Sequence, residues 1–158
     1  MSEKVPMTPE GQDKLREELE HLRKVEMPQV VKDIATAREH GDLSENAEYH
    51  AAKERQGMIH ARTKYLEDVL SRAEVIDPAK LSGDKVKFGA RVVLLNLDTD
   101  EEVTYQIVGP EESDLKQGRI SVSSPLARGL IGRQAGDEVT IKLPSGQRSY
   151  EIQEISFG

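Results

Sequence analysis

Apolar residues recur through the first half of the chain at helical spacing. Leu15, Leu19, Leu22, Val30, Ile34 and Ala37 fall on one stripe, with Lys, Arg and Glu on the other faces. Ahead of the stripe, Thr8-Pro9-Glu10 has the form of a helix start: a Thr whose side chain caps orphan N–H groups, Pro at the first helical position, and an acid in the first turn. A long amphipathic helix is therefore predicted from Pro9. Pro28 interrupts it, removing an N–H and crowding the preceding turn at about 3 kcal/mol in a helix interior. That predicts a kink or short break near Met27, with the stripe resuming beyond it.

The pattern stops at His40-Gly41-Asp42, where Gly suits a left-handed C-terminal position. A second stripe reads through Ala51, Met58, Ala61, Tyr65, Val69 and Ala73. Two consecutive amphipathic helices joined by a short turn pack antiparallel, each burying a face that neither buries alone. Residues 9–76 are predicted to form a coiled-coil hairpin, and about 30 residues at ~1.5 Å each make a rod of roughly 45 Å.

Near Asp77-Pro78 the period changes, and Leu81-Ser82-Gly83-Asp84 is rich in turn formers. Alternating and β-branched runs follow, predicting strands over 87–97, 102–108, 119–123, 138–143 and 149–155 in a largely antiparallel sheet. Ser124-Pro125 repeats the cap-then-Pro helix start, and Gly132 closes a short helix expected to turn Leu126, Leu130 and Ile131 inward. The fold class is α+β: an N-terminal hairpin domain over 1–76, a linker over 77–84, and a small C-terminal domain over 85–158.

Composition narrows the function classes. Among 158 residues, 22 Lys and Arg face 29 Asp and Glu for a net charge of −7, which opposes a broad phosphate-neutralising surface for free nucleic acid. Any such contact is expected to be local and guided by a protein partner. The absence of Cys excludes disulfides, thiolate metal sites and a Cys nucleophile. There is no apolar N-terminal leader and no run approaching the roughly 18 residues of a membrane span, so a cytoplasmic protein without membrane contact is expected. His21, His40, His50 and His60 show no spacing of a metal-ligand set.

The turn Gly41-Asp42-Leu43-Ser44-Glu45-Asn46-Ala47-Glu48-Tyr49 is where chemistry is expected. Its ordinary reading is a capping box, since Asp42 precedes Glu45 by three positions. Placement argues for more, because an acidic turn that only needs solvation gains nothing from a long rod. Two carboxylates are too few to hold Mg²⁺ alone, but they can complete a site that another protein begins. Arg38, Lys53 and Arg55 lie within a few turns of the tip, where RNA phosphates or acids of a partner could meet them; ordinary solvated helix charge is the equal alternative. Ser44 suits a cap of the second helix, Asn46 an orienting role toward the carboxylates, and Tyr49 packing against the first helix.

The run from Asp42 to Tyr49, following Ala37-Arg38-Glu39-His40-Gly41, resembles the tip of the GreA/GreB family of bacterial transcript cleavage factors. The likeness covers nearly the whole chain, from Met7-Thr8-Pro9-Glu10-Gly11 through Ala73-Glu74-Val75-Ile76-Asp77 to Ser124-Pro125-Leu126-Ala127-Arg128 and Gly136-Asp137. The acidic balance, with few cations near the tip, favours the GreA type over the basic-tip subtype. The resemblance implies a hairpin that enters the secondary channel of bacterial RNA polymerase and a C-terminal domain, similar in fold to FK506-binding-type isomerases, that docks at the channel rim. It implies that Asp42 and Glu45 help hold a Mg²⁺ shared with the polymerase, so that the 3′ end of backtracked RNA is hydrolysed and arrested complexes resume. On this reading the chain is an accessory factor, monomeric when free, and not itself an enzyme.

Three other readings remain open at this stage. A related inhibitor of the same channel differs chiefly at the tip, and intact Asp42 and Glu45 favour cleavage. A peptidyl-prolyl isomerase would want an aromatic-lined apolar pocket, whereas the C-terminal half has only Phe88, Tyr105, Tyr150 and Phe157. A structural coiled-coil adaptor, with the tip as a mere capped turn, is the third alternative.

Overall fold

The computed structural model describes residues 3–158, which fold as two units, Gln12–Arg72 and a discontinuous unit of the chain through Gly11 with Ala73–Gly158. The expected division keeps the first residues with the hairpin; their contacts lie instead with the second half. The reason is a pairing invisible to periodicity: β1 (Val5–Met7) runs parallel to β2 (Ala73–Val75), Met7 opposite Val75. Three-residue strands are too short to announce themselves as a pattern.

The first helix begins at Pro9, as its cap signal predicts. It is not interrupted near Met27. Instead α1 (Pro9–His21) passes through a π turn, Leu22–Glu26, into α2 (Met27–Arg38), with right-handed helical dihedrals at His21, Glu26 and Met27. The Met27 amide bonds the Leu22 carbonyl five residues back. A widened turn ahead of Pro28 relieves the clash of its ring with the carbonyl four residues earlier, which a regular α register would impose. The turn also repairs phase. Leu15, Leu19 and Leu22 repeat as Val30, Ile34 and Ala37 fifteen residues on, where two heptads give fourteen, and the extra residue is taken up in the wide turn. All six are buried.

The second helix, α3 (Ala47–Ser71), corrects the expected stripe. Val69 is buried as expected, but Met58 is 66% and Tyr65 44% exposed, and Ala51 and Ala61 are exposed too, whereas Ala52, Ile59 and Leu66 are buried. The two readings share heptad spacing and differ by one position, about 100° around the helix. Apolar residues stand on both faces, and the facing arm of the hairpin decides which is covered. Arg62 donates to both Glu18 carboxylate oxygens at 2.7 and 2.9 Å, and Arg23 pairs with Glu67 at 2.9 Å, flanking the apolar seam.

In the sheet unit, five strands follow the order β5-β4-β3-β7-β6, with β3 Arg91–Asn96, β4 Glu102–Val108, β5 Arg119–Ser121, β6 Glu138–Leu143 and β7 Gly146–Ser156. Within this sheet β4 and β5 pair in parallel, and the other three pairings are antiparallel. Val92, Leu94, Ile107, Ile120, Tyr150 and Ile152 build the core. The helix α4 (Pro125–Leu130) is capped by Ser124 and buries Ala127 and Leu130. Ile131, expected inside, is 39% exposed because the helix ends at Leu130 and the chain turns out. The stretch 77–84, read as a linker, holds a 3-10 turn, Pro78–Lys80, capped by Asp77 and seated on a buried Pro78.

The start of α1 is fastened within this unit. The Glu112 carboxylate accepts from the Thr8 amide at 2.9 Å, from the Thr8 hydroxyl, and from the Gly109 amide at 3.1 Å, while Thr8 Oγ1 accepts from the Gly11 amide. Glu112 is buried and has no cationic partner among the described residues, so these donors carry its solvation. Among the described residues no helix is long and apolar enough to cross a membrane.

Candidate functional site

The connection between α2 and α3 is built from local hydrogen bonding. After α2 ends, Gly41 takes φ +112°, a left-handed value that L side chains rarely adopt; a Cβ there would meet nothing within 4 Å, so conformation alone demands Gly. Asp42 then caps a 3-10 turn, Leu43–Glu45: its Oδ1 accepts from the Ser44 amide at 3.0 Å and the Ser44 hydroxyl at 2.9 Å. The expected capping box between Asp42 and Glu45 is therefore not what forms. Asp42 caps its own short turn, and Glu45 makes no hydrogen bond to a described residue.

Asn46, rather than Ser44, caps α3. Its Oδ1 accepts from the Tyr49 amide at 3.0 Å, and its Nδ2 donates to the Ala37 carbonyl in the last turn of α2 at 2.7 Å. One side chain thus spans the base of the turn. Sequence reading placed Asn46 in a carboxylate-orienting role and missed the bridge; the signal available was an Asn directly before Ala47-Glu48, the form of a helix N-cap followed by a first-turn acid.

Asp42 and Glu45, with His40, Asn46, Ala47 and Glu48, line an open concavity at the tip, and Leu43 beside them is 38% exposed. Both hydrogen bonds from Ser44, the amide first and the hydroxyl second, hold the Asp42 carboxyl below its ordinary range, so it is ionised at neutral pH. Glu48 lies 3.3 Å from His40 Nδ1, and His50 Nε2 lies 3.3 Å from the Ser44 carbonyl. Among the described residues no three His, Asp or Glu side chains gather as a metal-holding group.

The cations singled out from sequence are distributed differently. Arg38 sits 5.8 Å over the Tyr49 ring, tying the two helices together just below the tip. Lys53 donates to Gln56 at 3.2 Å, and Arg55 pairs with Glu26 at 3.4 Å and Asp33 at 3.9 Å. These partners engage them within the hairpin. In the sheet unit, the concavity bounded by Thr8, Glu10, Asp77, Arg91, Gln106 and Arg119 contains no aromatic side chain, and Tyr150 is part of the core. An isomerase-like apolar pocket is not built there.

Comparison with known proteins bears on both halves. Residues 5–75 match the family described as transcription elongation factor, N-terminal, and residues 81–157 the family described as transcription elongation factor, GreA/GreB, C-term. The transcription elongation factor GreA of Rhizobium leguminosarum bv. viciae is 58% identical over 158 residues, covering 100% of both chains. That of Rhodospirillum rubrum is 57% identical over 156 residues, 99% of each chain, and that of Syntrophotalea carbinolica 59% identical over 157 residues, again 99% of each. Matched in both halves, and more than half identical to such relatives along its full length, this chain belongs to the GreA/GreB family of transcription elongation factors.

Proposed function

We propose that this elongation factor binds bacterial RNA polymerase, inserts its hairpin tip into the secondary channel, and stimulates the polymerase's own Mg²⁺-dependent cleavage of backtracked RNA. The observation that carries this reading is the pair of carboxylates, Asp42 and Glu45, presented on one open face at the end of a long helical hairpin. The 25 residues of α3 span about 37 Å at ~1.5 Å per residue, which suits delivery of a ligand to a distant, narrow site.

The donor set fits a shared Mg²⁺. The ion favours octahedral oxygen coordination and commonly divides its shell among protein carboxylates, water and phosphate. Asp42 Oδ1 is fixed by Ser44, leaving Oδ2 for a cation, and Glu45, which makes no hydrogen bond to a described residue, lines the same concavity. Bound there beside the polymerase's own metal, the Mg²⁺ would complete a pair in which one ion activates the attacking water and the other stabilises the leaving oxygen. The chain's own task is to bring two carboxylates forward on one turn, while the polymerase contributes the active site. The chain is then an accessory factor and not an enzyme, and a cytoplasmic location follows from such a partner.

The test uses a stalled, backtracked elongation complex with labelled RNA and Mg²⁺. The wild-type chain is expected to speed RNA shortening, and a folded Asp42→Asn, Glu45→Gln variant to bind the polymerase without doing so. If neither protein speeds cleavage while both bind, the chain is an inhibitor or adaptor of the same channel and the reading fails.

A further inference from the structure

We propose that Asn46 is a positioning residue for cleavage, setting Asp42 and Glu45 by bridging the two helices beneath them. The inference rests on the function proposed above and assigns a role to a side chain whose amide is committed to the two helices, Nδ2 to the Ala37 carbonyl and Oδ1 to the Tyr49 amide.

The turn 41–45 is held from within by Asp42 and Ser44, and by a long bond of the Asn46 amide to the Leu43 carbonyl at 3.4 Å. Its internal bonds set its local shape but not its orientation on the helix pair. Asn46 stands at the junction. As acceptor it fixes the first turn of α3 through the Tyr49 amide, and as donor it fixes the Ala37 carbonyl at the end of α2. Ala37 is 2% exposed, so the carbonyl it offers belongs to the packed seam of the hairpin. The Tyr49 ring, whose amide Asn46 accepts, lies under Arg38, and His40 reaches Glu48 across the same gap. The side-chain amide therefore references the carboxylate-bearing turn to the rigid part of the hairpin.

The chemistry of the bridge is selective. An amide alone among short side chains can accept from one backbone and donate to the other at this span. Asp accepts from the Tyr49 amide but sets an oxygen against the Ala37 carbonyl. Ser caps a helix nearly as well as Asn but is shorter by one heavy-atom bond. Both substitutions keep the cap and remove the bridge.

Three measurements on the full chain separate positioning from folding. In Asn46→Asp and Asn46→Ser, the cleavage rate at saturating factor is expected to fall about 10- to 100-fold, as for outer-shell partners of metal ligands, with the factor concentration for half-maximal stimulation unchanged. The Mg²⁺ concentration for half-maximal cleavage is expected to rise. In the free protein, amide relaxation by NMR is expected to show added motion in Asp42 to Glu45 but not along α2 and α3. Wild-type rate with wild-type order in the turn overturns the proposal, as does a loss that comes only from weaker polymerase binding. The Asp42→Asn, Glu45→Gln variant runs alongside: if it is inactive while the Asn46 variants match wild type, the positioning role alone fails, and if it is fully active, the cleavage reading fails with it.

Discussion

At Glu112, three donors surround a buried carboxylate, and a Cβ placed on Gly11 would land inside that carboxyl group. Glu112 cannot swing away without giving up its bonds to Thr8 and Gly109, so Gly11 is needed for space. Gly11→Ala is expected to lower unfolding free energy by about 1–3 kcal/mol, the usual range for overpacking, measured by denaturant titration. An outcome near zero would mean that the carboxylate relocates freely. A second residue-scale effect belongs to Glu18, whose hydrogen bonds from Arg62 hold its carboxyl below the ordinary 4.5. A depressed folded value means the pair's contribution is present above the unfolded pKa and is lost as pH falls through the folded one. Both side chains are about two-fifths exposed, which keeps the gain within the ~0.2–1 kcal/mol of exposed pairs. Melting temperature is expected to fall more steeply in wild type than in Glu18→Gln as pH drops from about 5 to about 3, and added salt should shrink the difference.

Elements answer to their partners. The face of α3 was misread by one position because Ala51, Met58 and Tyr65 run parallel to Ala52, Ile59 and Leu66 at the same heptad interval. A single helix has no means of choosing between them; only packing against the first arm of the hairpin does. Ile59→Ala is therefore expected to cost about 2–5 kcal/mol, while the neighbouring Met58→Ala should stay within about 0.5 kcal/mol. Equal losses at both positions, measured by thermal and denaturant unfolding, would place the seam elsewhere. The strand elements were more legible, with 102–108 and 138–143 matching β4 and β6, because alternation and Gly, Asp and Pro punctuation are local signals. The β1–β2 pair and the wide turn before Pro28 were not, since one joins segments far apart in sequence and the other reconciles a proline with a stripe that is one residue out of phase.

For the molecule as a whole, the proposed function joins the length of the hairpin to the carboxylates at its tip. Removing Val30–Thr36 from α2 and Ala52–Met58 from α3 keeps each buried series in heptad register and draws the tip back by about 10 Å at ~1.5 Å per residue. Under the proposed function, this shortened chain is expected to fold and bind polymerase yet fail to stimulate cleavage; retained cleavage would show that reach is not required. The acidic turn could be found by reading the chain, because Gly41, Asp42 and Glu45 are residues whose roles depend on near neighbours. The same holds for the helix starts at Pro9 and Pro125, the change of period near Asp77, and the family itself, carried by contiguous motifs. The tertiary structure decided what depends on a distant partner: which stripe of α3 is covered, that Val5–Met7 joins Ala73–Val75, that Glu112 receives Thr8, and that Asn46 reaches back to Ala37. Periodicity and capping are encoded within a few residues along the chain, whereas burial and bridging hydrogen bonds exist only once separate segments meet.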